Sequence, residues 1–167
     1  HRGMFLGDDI ATQVGTFALV PQVARAVRVP VIAAGGIADA KGVAAAMSLG
    51  AAGVQAGTAF LLCPECTTSA VHRAALASDA ARVTALTNLF TGRPSRGIVN
   101  RVMRNLGPMN AAAPRFPGAA PFMAPLRARA ESAGSGDFSP LWSGQNASAC
   151  REAPAAEVVR ELARGLP

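Results

Sequence analysis

The sequence predicts an α/β fold assembled from consecutive βα units, on three observations. "VPVIAA", residues 29–34, is a short β-branched run without polar alternation, the pattern of a parallel strand covered on both faces. It ends in Gly35-Gly36 and gives way to an alanine-rich helical stretch, after which "AGVQAG", residues 52–57, forms a second strand with its own glycine tip. The joints between these segments are only two to four residues long. Strands and helices alternating in this way make a parallel sheet or barrel.

Taken in order, residues 8–15 are polar and contain glycine, a loop that opens with the solvated carboxylates Asp8 and Asp9. In "TFALVPQVARAV", Val20, Val23, Ala24 and Val27 fall on one helical face, and Pro21 is tolerated near the helix start. The strand at 29–34 follows. Asp39 is placed to cap the next helix, Val43, Ala46 and Met47 face its core side, and Gly50 suits its C-terminus. After the second strand, residues 67–77 read as another helix, with Cys63 and Cys66 as soft apolar residues at its start and Pro64 as an early helical position.

Beyond Ala81 the character changes. The spacing predicts a helix over 98–106, a Pro-rich irregular segment over 107–125, a helix near 122–130, a loop at "ESAGSGDFSP", a compact turn at "LWSGQN" and a terminal helix over 155–164. The expected organisation is therefore residues 1–81 as βα units and residues 82–167 as an extension packing outside them or over their mouth.

Composition narrows the function classes. With 167 residues and 50% hydrophobic content, the chain has material for one globular core. The net charge is +6, almost all of it arginine, since Lys41 is the one lysine. The arginines are scattered, with a modest concentration over 93–104, and there is no basic run or interleaved aromatic platform. That argues against nucleic acid as a partner. Three cysteines do not make a secreted disulfide framework. The C-P-E-C pair at Cys63 and Cys66 has no second pair, and His1 and His72 are the only histidines, which argues against a metal site. Gly42 to Cys63 is uncharged, yet it is mostly Ala and Gly and includes Ser48, Gln55 and Thr58. A buried helix followed by a buried strand explains it better than a membrane span. No basic-then-apolar leader is visible, so the expected compartment is cytoplasmic. The chain lacks an initiator Met and opens at His1 directly into a Gly turn, which reads as a piece whose upstream portion is missing.

In parallel α/β architectures ligands bind at the carboxyl ends of the strands. Both glycine turns sit there. Gly35-Gly36 lets the backbone approach a phosphate, and the start of the helix after Asp39 adds N–H donors and a positive dipole. Gln55, Ala56, Gly57 and Thr58 repeat the arrangement one strand later, adding an amide and a hydroxyl. Two adjacent tips of this kind read as a phosphate clamp; tight βα turns alone also use Gly. Arg93 and Arg96 in "GRPSRG" can bind an anion or tie a loop to carbonyls, and the loop role fits better. Ser143 and Gln145 either reach a cofactor edge or serve a turn. Trp142 reads as a packing anchor and His72 as a surface residue of an outer helix.

The stretch "PVIAAGGIADAKGVAAAMSLGAAGVQAGTAFL" resembles the FMN-phosphate segment of the nitronate monooxygenases, formerly called 2-nitropropane dioxygenases. "HRG" at the start resembles the end of that family's A-G-G-H-R-G turn, and "TGRPSRGIVNRVMR" and "LWSGQ" are similar to its C-terminal pattern. The resemblance implies the C-terminal part of an FMN-binding TIM (β/α)8 barrel plus a helical C-terminal extension. It implies that Gly35 and Gly36 make the first backbone contact to the FMN phosphate and that Gln55, Ala56, Gly57 and Thr58 make the second. It implies that His1 is the catalytic histidine, since an imidazole titrating near ~6.5 can take the acidic C–H proton of a nitroalkane or hold its nitronate. The substrates would be a nitronate or nitroalkane and O2, and the products a carbonyl compound and nitrite. Two alternatives stay open: an FMN-dependent enoyl reductase on the same barrel, and a truncated piece without activity.

Overall fold

The computed structural model describes every residue except His1, Arg2, Phe5 and Asp8. The βα repetition is present: α1 (Thr16–Ala26), β1 (Ile32–Ala34), α2 (Ala40–Ser48) and β2 (Gly53–Gln55) follow in order. β1 and β2 pair in parallel, with Ile32 opposite Gly53 and Ala34 opposite Gln55. This register carries both glycine tips out of the same sheet end, side by side.

Local signals set α2. The Asp39 carboxylate accepts from the Gly42 N–H at 2.7 Å and caps the first turn. Gly50, at φ +96°, turns the chain out of the helix, and its N–H donates to the Met47 carbonyl. Val43 is fully buried, and Ala46 packs with Val20, Ala33 and Ala51 between α1, α2 and β1. α1 ends at Ala26, so Val27 lies outside its apolar face and is exposed.

β1 departs from expectation. Only Ala33 is buried, while Ile32 is 56% exposed and Ala34 is exposed as well. Among the described residues the sheet has two strands, so nothing packs on the other face or along the free edge of β1. Phe17 and Val29 are exposed as well.

Cys63 and Cys66 do not start a helix. They close a turn in which the Cys66 N–H donates to the Cys63 carbonyl, because α3 (Ala70–Leu76) begins only after Ser69. The turn holds Glu65, whose two carboxylate oxygens each accept from the Ala155 N–H at 3.1 Å. A carboxylate from ninety residues away thus caps the last helix, α6 (Ala155–Ala163), at its positive end. Val158 and Leu162 of α6 then bury against Val43, Ala59 and Cys63.

The second half holds a hairpin where the sequence predicts none. β3 (Thr84–Thr87) and β4 (Ser95–Ile98) pair antiparallel, with Leu86 opposite Arg96. The helix expected over 98–106 shrinks to α4 (Arg101–Leu106). Ile98 finishes the strand, and Asn100 caps the helix by accepting from Met103 N–H. The irregular segment expected over 107–125 is helical from its later part, because α5 runs Ala119–Ser132 and takes in Pro125. "LWSGQN" is a strap that starts extended, with Trp142 in a β-bridge with Gly97, and turns at Gln145 and Asn146. The two halves share buried clusters, one joining Leu62, Leu76 and Ala81 to Ile98, Leu141 and Ala147.

Gly92, between β3 and β4, has φ +84°, and a Cβ there would lie 2.4 Å from Phe116 N and the Pro114 carbonyl oxygen. Both neighbours are backbone and cannot swing away. Gly92→Ala is therefore expected to cost about 2–3 kcal/mol from left-handed strain and overpacking. A urea melt that matches the wild type would contradict this.

Candidate active site

The two glycine tips border a cleft of about 380 Å³. Gly35, Gly36, Gln55, Ala56, Gly57 and Thr58 all line it, so the structure brings together every described residue of the expected clamp. His1 lies outside the described residues.

The glycines have different tasks. A Cβ on Gly35 would meet Thr16 Oγ1 at 3.0 Å, and that hydroxyl donates to the Ala34 carbonyl; Gly35 keeps α1 close to the strand end. At Gly36 (φ +75°) and at Gly57 an added Cβ meets nothing within 4 Å, so both face open cleft. Among the described residues the N–H groups of Gly36, Ile37, Gly57 and Thr58 donate to no protein acceptor. Such clustered backbone donors suit a ligand anion. At the start of α2 the Asp39 carboxylate takes the Gly42 N–H, and among the described residues none of α2 lines the cleft.

The strap closes the cleft from the opposite side. The Gly144 N–H donates to Thr58 Oγ1 at 2.9 Å, and Asn146 Nδ2 donates to the Gly36 carbonyl at 3.2 Å. The Cys150 thiol donates to the Thr58 carbonyl at 3.1 Å. Thr58 is thereby held at both its hydroxyl and its carbonyl. Trp142 forms part of the wall and stacks edge-to-face on Phe90, with ring centroids 5.6 Å apart. Gly144 and Asn146 are site residues that sequence reasoning passed over. Their signal was a Gly and an Asn on either side of Gln145, just after an aromatic residue, in a segment read only as a turn.

Ser143 is fully buried, and among the described residues its hydroxyl has no hydrogen-bond partner. Gln145 lines a neighbouring cleft rather than this one. The structure corrects the placement of His72: the residue is half-buried, and its buried Nε2 has no hydrogen-bond partner among the described residues. Burial holds the imidazole below its ordinary pKa, and a hydrogen bond with the Trp142 backbone works the other way. Arg96 Nη1 donates to the carbonyl and hydroxyl of Thr84, a tie between β4 and β3 where the sequence suggested a loop, and partial burial lowers its pKa. Among the described residues no group of three or more His, Cys, Asp or Glu is placed to hold a metal, and no helix is long and apolar enough to cross a membrane.

A cleft built in this way can be compared with known proteins. A family model described as nitronate monooxygenase matches residues 1–165. A nitronate monooxygenase from Pseudomonas aeruginosa is 43% identical over 99% of this chain and 48% of its own length. One from Paraburkholderia phytofirmans is 40% identical over 99% of this chain and 46% of its own length. The chain spans about half the length of the curated relatives it matches. Among solved structures, a nitroalkane oxidase from Streptomyces ansochromogenes superposes with a TM-score of 0.82 at 40% identity, covering 91% of this chain and 44% of that one. FabK from Thermotoga maritima gives 0.76 at 32% identity, covering 98% and 50%. With the family match running through both the glycine tips and the strap, the chain belongs to the nitronate monooxygenase family.

Proposed function

We propose that the full-length protein is an FMN-dependent oxidoreductase that converts nitronates or nitroalkanes, with O2, to a carbonyl compound and nitrite. The observation that carries the cofactor assignment is the paired glycine tips. They offer room where two Cβ atoms would otherwise stand, together with backbone N–H groups that have no acceptor among the described residues. FMN fits this chemistry: its phosphate needs donors and close backbone approach, and among the described residues no acidic side chain lines the cleft.

On this reading Gly36, Gln55, Ala56, Gly57 and Thr58 hold the phosphate, and Gly35 keeps the first tip in place. His1 takes the proton from the substrate carbon or steadies the resulting anion. FMN, when bound, supplies the electron-accepting and O2 chemistry. The bare face of β1 is consistent with further strands of a (β/α)8 barrel packing there in the full-length protein, with residues 82–167 as its extension. The second reading, an enoyl reductase on the same barrel, draws on the likeness to FabK. That likeness is lower in both identity and TM-score than the likeness to the nitroalkane oxidase.

The full-length protein is expected to purify yellow with non-covalent FMN and to take up O2 when given a preformed nitronate. Colourless protein that gains no flavin spectrum on adding FMN would reject the cofactor. NAD(P)H consumption with an enoyl thioester, without nitronate-dependent O2 uptake, would move the assignment to the second reading.

A further inference from the structure

Arg73 lies on α3, the helix that follows the second glycine tip, and it does not line the cleft. Its guanidinium nevertheless grips the chain from which the cleft is built. Nη2 donates to the Leu62 carbonyl at 2.7 Å, and Nη1 donates to the carbonyls of Cys63 at 3.1 Å and Leu61 at 3.4 Å. Three consecutive carbonyls thus converge on one planar cation. Among the described residues Arg73 forms no ion pair with a carboxylate, so these carbonyl dipoles are what its charge is set against.

The gripped carbonyls stand at one end of a short turn whose other end is the glycine tip. Thr58–Phe60 form a 3-10 turn, in which the Phe60 N–H donates to the Gly57 carbonyl at 3.0 Å and the Leu61 N–H to the Thr58 carbonyl at 3.0 Å. Leu61 itself lines the cleft. The direction in which Gly57 and Thr58 present their N–H groups is therefore tied, through this turn, to where Arg73 holds residues 61–63. Leu62 and Cys63 are 2% and 1% exposed, which leaves their carbonyls little access to water. Without the guanidinium they would lose their partner, and the turn would have to rotate to find another.

Resting on the flavin reading above, we propose that Arg73 is a positioning residue: from outside the cleft it sets the turn that presents the Gly57 and Thr58 N–H groups to the FMN phosphate. The strap fastens Thr58 from one side through Gly144 and Cys150, and Arg73 fastens the same turn from α3. The tie acts on the phosphate end of the ligand. It should therefore register in the binding of FMN and not in that of riboflavin, which has the same ring system and no phosphate.

The test uses the full-length protein freed of flavin, titrated separately with FMN and with riboflavin and followed by flavin fluorescence. The quantity to read is the preference for FMN, the ratio of the two Kd values. Arg73→Met keeps the apolar stem and removes the donors. It is expected to weaken FMN by about 10–100-fold, the scale of one lost charge-assisted hydrogen bond, and to leave riboflavin at its wild-type affinity. Arg73→Lys returns a cation to the same carbonyls without the planar fork, so it should recover part of the lost preference and not all of it. It is the variant to read if Arg73→Met does not fold. A thermal melt of each apoprotein, with titrations kept well below melting, separates lost stability from lost preference. An unchanged preference for FMN in the variant read overturns the proposal, as does an equal fall in the affinity for FMN and for riboflavin. Wild-type protein that binds no FMN rejects the cofactor reading, and the proposal with it, before any variant is made.

Discussion

His1→Asn in the full-length protein is expected to lower turnover of a neutral nitroalkane by about 10²–10⁴-fold, the usual contribution of a general base. FMN content should stay at the wild-type level, because the proposed phosphate contacts come from two other strand ends. Preformed nitronate should be affected far less, since it arrives already deprotonated. Stopped-flow measurement with both substrates separates proton removal from electron transfer. An equal fall with both would make His1 a positioning residue for the anion or the flavin. No fall with either would remove it from the mechanism.

The next largest effect is expected at Gly57. Its φ of −112° is open to any residue, and an added Cβ meets nothing within 4 Å of the protein. Gly57→Val should therefore fold as well as the wild type. If the cleft holds a phosphate, however, the two extra methyl groups stand where the anion must approach the backbone. Losing two or more charge-assisted contacts corresponds to a fall in FMN affinity of about 10²-fold or more. Equilibrium dialysis with FMN, beside a thermal melt, distinguishes the outcomes. Full retention of flavin in a folded Gly57→Val protein would remove the clamp. Gly36→Val is the poorer probe, because φ +75° strains a β-branched residue whether or not a ligand binds.

The parts of this molecule that could be read from its sequence are those fixed by near neighbours. The Asp39 cap, the Gly50 exit and the apolar face of α2 each depend on residues within a turn or two, and the structure has all three. The parallel register of β1 and β2 follows from the same unit. What the sequence hid depends on distant partners. "VTALT" is consistent with a strand, but only pairing with residues 95–98 makes it one. Ile32 looks like a residue buried on both sides until it is known what packs on β1. The strap reads as a turn because its partners, Thr58 and Gly36, lie 86 and 110 residues earlier. His72 looked like an outer-helix surface residue because nothing local announces that the strap lies across it.

Those two separations bear on how the protein comes to be made. Closing a loop costs more entropy as it lengthens, and contacts between distant residues form late. During synthesis the glycine tips emerge well before residues 144–146. The βα unit can assemble from its own local signals while Thr58 and Gly36 still lack the hydrogen bonds that hold them. The cleft therefore reaches its final shape only once the C-terminal strap has left the ribosome and docked. On the proposed flavin reading, cofactor capture would then be a late event, and any interruption of the chain before Gly144 would remove both the strap and α6 and leave no finished pocket to fill.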